Sequence, residues 1–178
     1  VAIAVFATGD QVKPDAAATI SALIDRGITP WLISGDSEQA AQTIAKEADI
    51  AIENVRAAVL PDQKVAAIKE LQDQGHHVLM IGDGVNDAAA LASADLSMAM
   101  GTGTDTAIAV ADITLIRSDL TSAITALKLS RKTLRIIKGN LAWAFAYNVI
   151  GIPIAAAGLL SPMYAGAAMA LSSIFVVT

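Results

Sequence analysis

The sequence predicts an α/β domain, a parallel sheet with helices on both faces, followed by two membrane-crossing helices. Short β-rich runs alternate with amphipathic helical runs up to about residue 127, and this alternation is typical of parallel sheets. The last 40 residues, 139–178, carry no charged side chain. An uncharged stretch of that length indicates membrane spans rather than soluble helices.

Charge divides the chain into three parts. The sequence is 54% hydrophobic and 16% charged, which excludes intrinsic disorder. Residues 1–127 hold 17 acidic and 7 basic side chains, whereas residues 128–138 hold five basic ones and no acid. We therefore expect a domain over 1–127, a basic cytosolic stalk over 128–138, and membrane helices at about 139–160 and 163–178.

Several classes of protein are excluded or disfavoured. The basic run is short and adjoins the apolar tail, so no nucleic-acid partner is expected. The chain has no cysteine, which excludes disulfides and thiolate metal sites within it. It opens without a methionine inside a β-rich run, and we expect it to be part of a longer protein.

Short apolar runs are the predicted strands, and proline and glycine mark the helices between them. Pro14 suits the first turn of a helix, where its missing N–H has no helical partner anyway, and Gly27 suits a helix end. The predicted strands are Val1–Phe6, Pro30–Ile33, Val55–Val59, His77–Ile81, Leu96–Met100 and Ile113–Ile116. The predicted helices cover Pro14–Arg26, Ser37–Ala48, a run through Lys64 that ends at Gly75, and an Ala-rich run after Asp87.

Three polar loops lie where chemistry is expected. They are Ser34–Asp36, the segment leading to Lys64, and Asp83–Asp87. The carboxyl ends of parallel strands carry the sites of such folds, so we expect one shared site. Carboxylates at Asp83 and Asp87 suit a hard cation such as Mg²⁺. The glycine-rich loop Gly101–Asp105 could cradle an anion, but it is predicted to be a tight connection beside this site, with Thr104 as a helix cap.

The string GDGVNDAAAL, residues 82–91, resembles the hinge motif of P-type ATPases, within the haloacid-dehalogenase-like superfamily. Ser34-Gly35-Asp36 is similar to that family's Thr-Gly-Asp loop, with serine supplying the hydroxyl. Lys64 resembles the lysine that steadies the phosphoryl group. The resemblance implies a haloacid-dehalogenase-like sheet, ATP as substrate and Mg²⁺ as cofactor.

The same resemblance implies roles for the loop residues. Asp83 would bind Mg²⁺. Asn86 and Asp87 would support the magnesium site without contacting the ion. Ser34 and Lys64 would bind the oxygens of the transferred phosphoryl group. Taken alone, a lysine such as Lys64 is more often a solvent-exposed charge on a helix. A Gly-Asp-Gly turn taken alone is more often a simple connection between a strand and a helix.

The family's phosphorylated aspartate lies in an Asp-Lys-Thr-Gly-Thr motif that does not occur in this chain. The resemblance implies that this nucleophile, the actuator and nucleotide-binding domains and further membrane helices precede Val1, and that this segment alone is inactive. Asp10 is the one residue that could replace this nucleophile. A phosphatase of the superfamily would need a second acidic residue two positions later, where this chain has Val12. A membrane-tethered phosphatase using Asp10 is therefore an alternative, and a non-enzymatic membrane-anchored scaffold is another.

The run Leu141–Leu160 is long enough to cross ~30 Å of hydrocarbon as a helix. Leu160-Ser161-Pro162 would then turn the chain into a second span, which makes the lipid bilayer a partner. The basic residues before the first span place that end in the cytoplasm. We therefore expect an integral membrane protein with residues 1–138 cytoplasmic.

Polar side chains inside these spans indicate a transported ion. Tyr147-Asn148 and the later Met-x-x-Ser-Ser run resemble the last two membrane helices of copper(I)-transporting P-type ATPases. The resemblance implies that Asn148, Met169 and Ser173 form one ion site and that Tyr147 joins an upstream Cys-Pro-Cys motif in another. A thioether favours Cu(I), although silver(I) is equally soft, and each residue alone would more often be a packing residue.

We therefore expect part of an ATP-driven copper(I) exporter that couples aspartyl phosphorylation to transport. A copper chaperone is a further expected partner. A pump for silver(I) is an alternative within the same class.

Overall fold

The computed structural model describes residues 2–6, 12–117, 119–158 and 166. The backbone divides into two compact units, residues 1–126 and residues 127–178.

The first unit contains a six-stranded, wholly parallel sheet with the strand order β3-β2-β1-β4-β5-β6. The strands are β1 (Ala2–Phe6), β2 (Ile28–Ile33), β3 (Val55–Arg56), β4 (His77–Gly82), β5 (Leu96–Met100) and β6 (Ile113–Leu115). All residues of β4 except His77 are buried, as expected for a strand covered on both faces.

Five helices connect the strands. They are α1 (Ala16–Ile24), α2 (Glu38–Glu47), α3 (Pro61–Asp73), α4 (Ala88–Ser93) and α5 (Asp105–Val110). Right-handed crossovers place α1 and α2 on one face and α3, α4 and α5 on the other. A core of small and aliphatic residues, including Ile68, Met80 and Leu91, packs beneath the second group. The predicted parallel sheet with flanking helices is confirmed.

Strand order reverses at β1, which pairs with β2 on one side and β4 on the other. Loops that leave neighbouring strands in opposite directions open a crevice at such a point, and ligands bind there. The loops after β2 and β4 are Ser34–Asp36 and Asp83–Asp87, so the topology places both beside the same crevice.

Strand β3 is shorter than the predicted Val55–Val59. Ala58 has a φ of +54°, a conformation that ends an extended run. Its N–H donates to the carbonyl of Asp36 (2.7 Å), and the N–H of Val59 donates to the carbonyl of Ser34 (3.0 Å). The backbone after Arg56 therefore bonds to the loop after β2, and the prediction of a five-residue strand was wrong for that reason.

The last described helix is α6 (Thr121–Ala156), 36 residues long. It is the one helix in the described ranges that is long and apolar enough to cross a membrane. It ends in a turn in which Gly158 has a φ of +70°. Of the predicted second span, 163–178, only Gly166 is described.

Candidate active site

One cavity of about 410 Å³ gathers the three predicted loops. It lies beside the reversal in strand order, at the carboxyl ends of β2 and β4. The loop residues that line it include Ser34, Gly35, Asp36, Lys64, Asp83, Gly84, Asn86 and Asp87. The structure thus brings together all of the site residues predicted in the first unit.

Ser34 follows β2 and is 4% exposed. Its hydroxyl donates to Asp36 Oδ2 (2.6 Å) and accepts from the Asp36 backbone N–H (3.1 Å). Two further backbone bonds hold this residue, because its N–H donates to the Arg56 carbonyl and its carbonyl accepts from Val59. The backbone of Ser34 is therefore held on both sides, and its hydroxyl lies at the cavity.

Lys64 lies in the first turns of α3. Pro61 begins this helix, and the side chain of Gln63 accepts from the Leu60 N–H (2.8 Å), so the helix start is well defined. Lys64 is 8% exposed, and its Nζ donates to Asp87 Oδ1 (2.7 Å). Nothing in the sequence predicts this ion pair between two of the expected site residues.

The pair has little access to solvent. The side chains of Lys64 and Asp87 are 10% and 5% exposed. The other carboxylate oxygen of Asp87 accepts from the Gly84 N–H (3.3 Å). A Cβ on Gly82 would lie 3.0 Å from the Cβ of Asp87, so the glycine leaves the room that the carboxylate occupies.

The helix that carries Lys64 is also tied to the sheet edge. Arg56 on β3 donates two hydrogen bonds to Glu70 on α3 (2.8 and 2.9 Å). Hydrogen bonding to Glu70 raises the pKa of Arg56, and the same bond lowers the pKa of the Glu70 carboxyl. The Arg56 guanidinium lies 5.5 Å from the centroid of the Trp31 ring. This surface pair contributes orientation more than stability.

Asp83 follows β4 and is exposed at the cavity. Its backbone carbonyl accepts from the Thr104 N–H (3.0 Å). A Cβ on Gly103 would lie 2.8 Å from that carbonyl oxygen, so the two loops touch. Thr104 also caps α5 by accepting from Ala107 N–H (3.3 Å). The prediction of a tight connection with Thr104 as a cap is confirmed.

The donor set at the cavity fits Mg²⁺. Asp83 and Asp36 present carboxylates there, and the lining contains no sulfur or imidazole. No cluster of three or more His, Cys, Asp or Glu side chains that could hold a metal occurs in the part of the chain that the structure describes. Mg²⁺ commonly needs only one or two carboxylates, because water and substrate phosphates complete its shell.

The predicted membrane ligands are described in part. Tyr147 and Asn148 lie on α6, and the Asn148 amide donates to the Ala144 carbonyl (2.9 Å). That bond uses the amide nitrogen and not the oxygen that would ligate a cation. Met169 and Ser173 lie outside the described residues. Asp10, the alternative nucleophile, lies outside them as well.

Comparisons with known proteins find relatives along the whole chain. The haloacid dehalogenase-like hydrolase family matches residues 1–95. A copper-exporting P-type ATPase of Mycobacterium tuberculosis (strain ATCC 25618 / H37Rv) is 51% identical over 174 residues, which are 98% of this chain and 23% of that protein. Cation-transporting P-type ATPase B of Mycobacterium leprae (strain TN) is 52% identical over 178 residues, 100% of this chain and 24% of that protein.

Among solved structures, the crystal structure of a zinc-transporting PIB-type ATPase in the E2.Pi state superposes with a TM-score of 0.85. It is 30% identical and covers 94% of this chain and 27% of that one. The chain therefore spans about a quarter of the length of each of these three proteins. It belongs to the haloacid dehalogenase-like hydrolase family, and along nearly its whole length it resembles P-type ATPases.

Proposed function

We propose that this chain is part of an ATP-driven heavy-metal exporter. It would supply the phosphoryl-binding site and the helix that enters the membrane, and the transported ion would be copper(I). The observation that carries the proposal is the single cavity to which three separate loops bring Ser34, Lys64 and Asp83. A hydroxyl, an ammonium and a carboxylate around one space are the groups that phosphoryl transfer requires, since it depends on positioning and electrostatics.

Each residue has a part in that transfer. The Ser34 hydroxyl turns from Asp36 to donate to a phosphoryl oxygen. Lys64 supplies a positive charge to the same group, and Asp87 holds the lysine at the cavity wall through its 2.7 Å contact. Asn86 lines the cavity and offers an amide. The nucleophilic aspartate would come from a part of the pump outside this chain.

Asp83 is the residue that would hold Mg²⁺, with Asp87 supporting its loop. When bound, Mg²⁺ supplies positive charge that offsets the charge on the phosphate oxygens. Gly103 and Thr104 contact the backbone of Asp83. They would keep its carboxylate facing the cavity.

The cargo assignment depends on the membrane helix and on the names of the relatives. Tyr147 and Asn148 give oxygen donors on α6, and Met169 and Ser173 would add a thioether and a hydroxyl. The thioether favours a soft monovalent ion. Relatives named as copper exporters are about half identical to this chain.

The catalytic proposal is tested in the full-length pump by trapping the phosphoenzyme formed from ATP. We expect Lys64→Ala to lower its steady-state level at least tenfold, about 1.4 kcal/mol of lost stabilisation. Lys69→Ala is the matched control, since Lys69 lies on the same helix but is exposed. Equal phosphoenzyme levels in the two variants would reject the role of Lys64.

The cargo proposal is tested with the same protein by comparing stimulation of ATP hydrolysis by Cu(I), Ag(I) and Zn²⁺. Cu(I) and Ag(I) should stimulate, and Met169→Leu should abolish the effect. Stimulation by Zn²⁺ alone would overturn the copper assignment while leaving the pump assignment standing.

A further inference from the structure

Five basic side chains form one stripe on α6. They are Lys128, Arg131, Lys132, Arg135 and Lys138, and every one is exposed. Their spacings of three and four residues place them within about 120° of the helix circumference, at 100° per residue. We call this set the basic stripe.

The basic stripe has no acidic neighbours along the helix. The last acid in the sequence is Asp119, and residues 120–178 contain none. Within the described ranges, none of the five cations forms an ion pair. The remaining circumference of this segment is largely aliphatic, with exposed Leu129, Ile136 and Ile137. The stripe is thus a concentrated charge with no protein counter-ion on its own unit.

The helix itself sets the depth of the stripe in a bilayer. Residues 139–156 are the uncharged part of α6, and the helix ends at Ala156. Eighteen residues at 1.5 Å each span about 27 Å, close to the ~30 Å of the hydrocarbon. The uncharged segment has almost no length to spare, so Lys138 falls at the edge of the hydrocarbon.

We propose that the basic stripe binds the headgroup phosphates of anionic phospholipids in the cytoplasmic leaflet. The proposal rests on the membrane placement of α6 in the proposed function. Arginine and lysine bind phosphodiesters through charge-assisted hydrogen bonds, and an array of cations beside a span is the known form of such recognition. Lipid is favoured over an acidic protein segment as the partner, because the Lys138 end of the stripe lies at the depth of the lipid headgroups.

Depth divides the stripe into two parts. Arg135 lies about 4.5 Å above Lys138 along the axis, whereas Lys128 lies about 15 Å above it. The headgroup layer is roughly 5–8 Å thick on each side, and charges are screened over about 10 Å at 0.1 M salt. Lys138 and Arg135 therefore lie at headgroup depth, whereas Lys128 lies about 7–10 Å outside the headgroup layer, where screening weakens its attraction to the lipid.

The test uses the full-length pump in vesicles of phosphatidylcholine mixed with phosphatidylglycerol. Native mass spectrometry counts the phosphatidylglycerol that stays bound. Each surface cation is worth roughly fivefold in anionic-lipid partition. We therefore expect Arg135→Gln/Lys138→Gln to reduce the enrichment of phosphatidylglycerol by more than tenfold. Lys128→Gln, the matched control, should change it less than twofold.

The wild-type enrichment should fall at high salt, and inorganic phosphate at equal ionic strength should not displace the lipid. Unchanged enrichment in the double variant would overturn the proposal and leave an acidic protein segment as the partner of the stripe. An equal loss in Lys128→Gln would also overturn it, because it would indicate a bulk charge effect. The lipid count needs neither ATP nor metal. A pump that binds the lipid but ignores metal would therefore contradict the proposed function alone.

Discussion

Lys64 and Asp87 form a buried ion pair at the wall of the cavity. Taking two charges out of water has a large desolvation cost that a close contact only offsets. The 2.7 Å bond and the exposures of 10% and 5% describe a pair in which neither member can lose its partner without leaving a buried charge. A pair of this kind is better explained by its place in the cavity than by stability.

We predict that Lys64→Met destabilises the first unit by about 3–5 kcal/mol, because it leaves the Asp87 carboxylate buried and unpaired. The double variant Lys64→Met/Asp87→Leu should regain most of that stability and still form no phosphoenzyme. Thermal unfolding of the detergent-solubilised pump measures the first effect and phosphoenzyme trapping the second. A single variant within 1 kcal/mol of wild type would contradict the buried-charge argument.

The strands of the second half of the sheet are joined by carboxylates at their starts. Asp95 accepts from the Val78 N–H (2.8 Å) and from Gln72, and Asp112 accepts from the backbone and hydroxyl of Ser97 (2.9 and 2.8 Å). The pKa of Asp95 is lowered, and the hydrogen bond from the Val78 N–H is the largest cause. The pKa of Asp112 is also lowered, and the hydrogen bond from the Ser97 hydroxyl is the largest cause.

These shifts have a definite sign. A carboxyl whose pKa is lower in the folded state stabilises the fold above its unfolded pKa, about 3.9, and that contribution is lost as the pH falls through the folded value. We predict that urea unfolding of the chain shows a loss of stability below about pH 4. Asp95→Asn/Asp112→Asn should flatten that loss.

Asp73→Asn is the control for this experiment, since Asp73 is an exposed carboxylate on α3. It should leave the slope of stability against pH as it is in the wild type. If the double variant kept the full acid-induced loss, other groups would be responsible for it.

At the scale of the whole molecule, the chain links its two units through α6. The helix begins at Thr121, in the first unit, and ends at Ala156, in the second. The pump proposed above would have to connect phosphoryl chemistry with ion access in the membrane, and residues 128–138 would carry that connection as a continuous helix.

We predict that inserting Gly-Gly after Thr133 in the full-length pump leaves ATP hydrolysis measurable but removes metal transport into vesicles. Two glycines weaken the helix by about 1 kcal/mol each relative to alanine and turn its far end by about 200°. Thr133→Ala, which keeps both length and helix, should transport normally. Normal transport in the insertion variant would show that coupling does not depend on this helix.

Much of the fold could be predicted because its signals are local. Pro61 and Gly27 mark helix ends by their own backbone preferences, and the runs Val78–Ile81 and Met98–Met100 are apolar and buried. The end of β3 could not be predicted. Arg56 and Val59 are compatible with a strand, and the chain leaves it only because Ala58 and Val59 bond to the loop after β2.

The side chains that line the cavity and the position of the long apolar helix could both be predicted without the structure. Residue type and spacing along the chain carry that information, as GDGVNDAAAL and the uncharged run after Lys138 do. The pairing of Lys64 with Asp87, 23 residues away, and the contact of Gly103 with Asp83 are visible only in the folded chain. Those contacts depend on the order of strands in the sheet, which arises from packing between distant segments and leaves no local mark in the sequence.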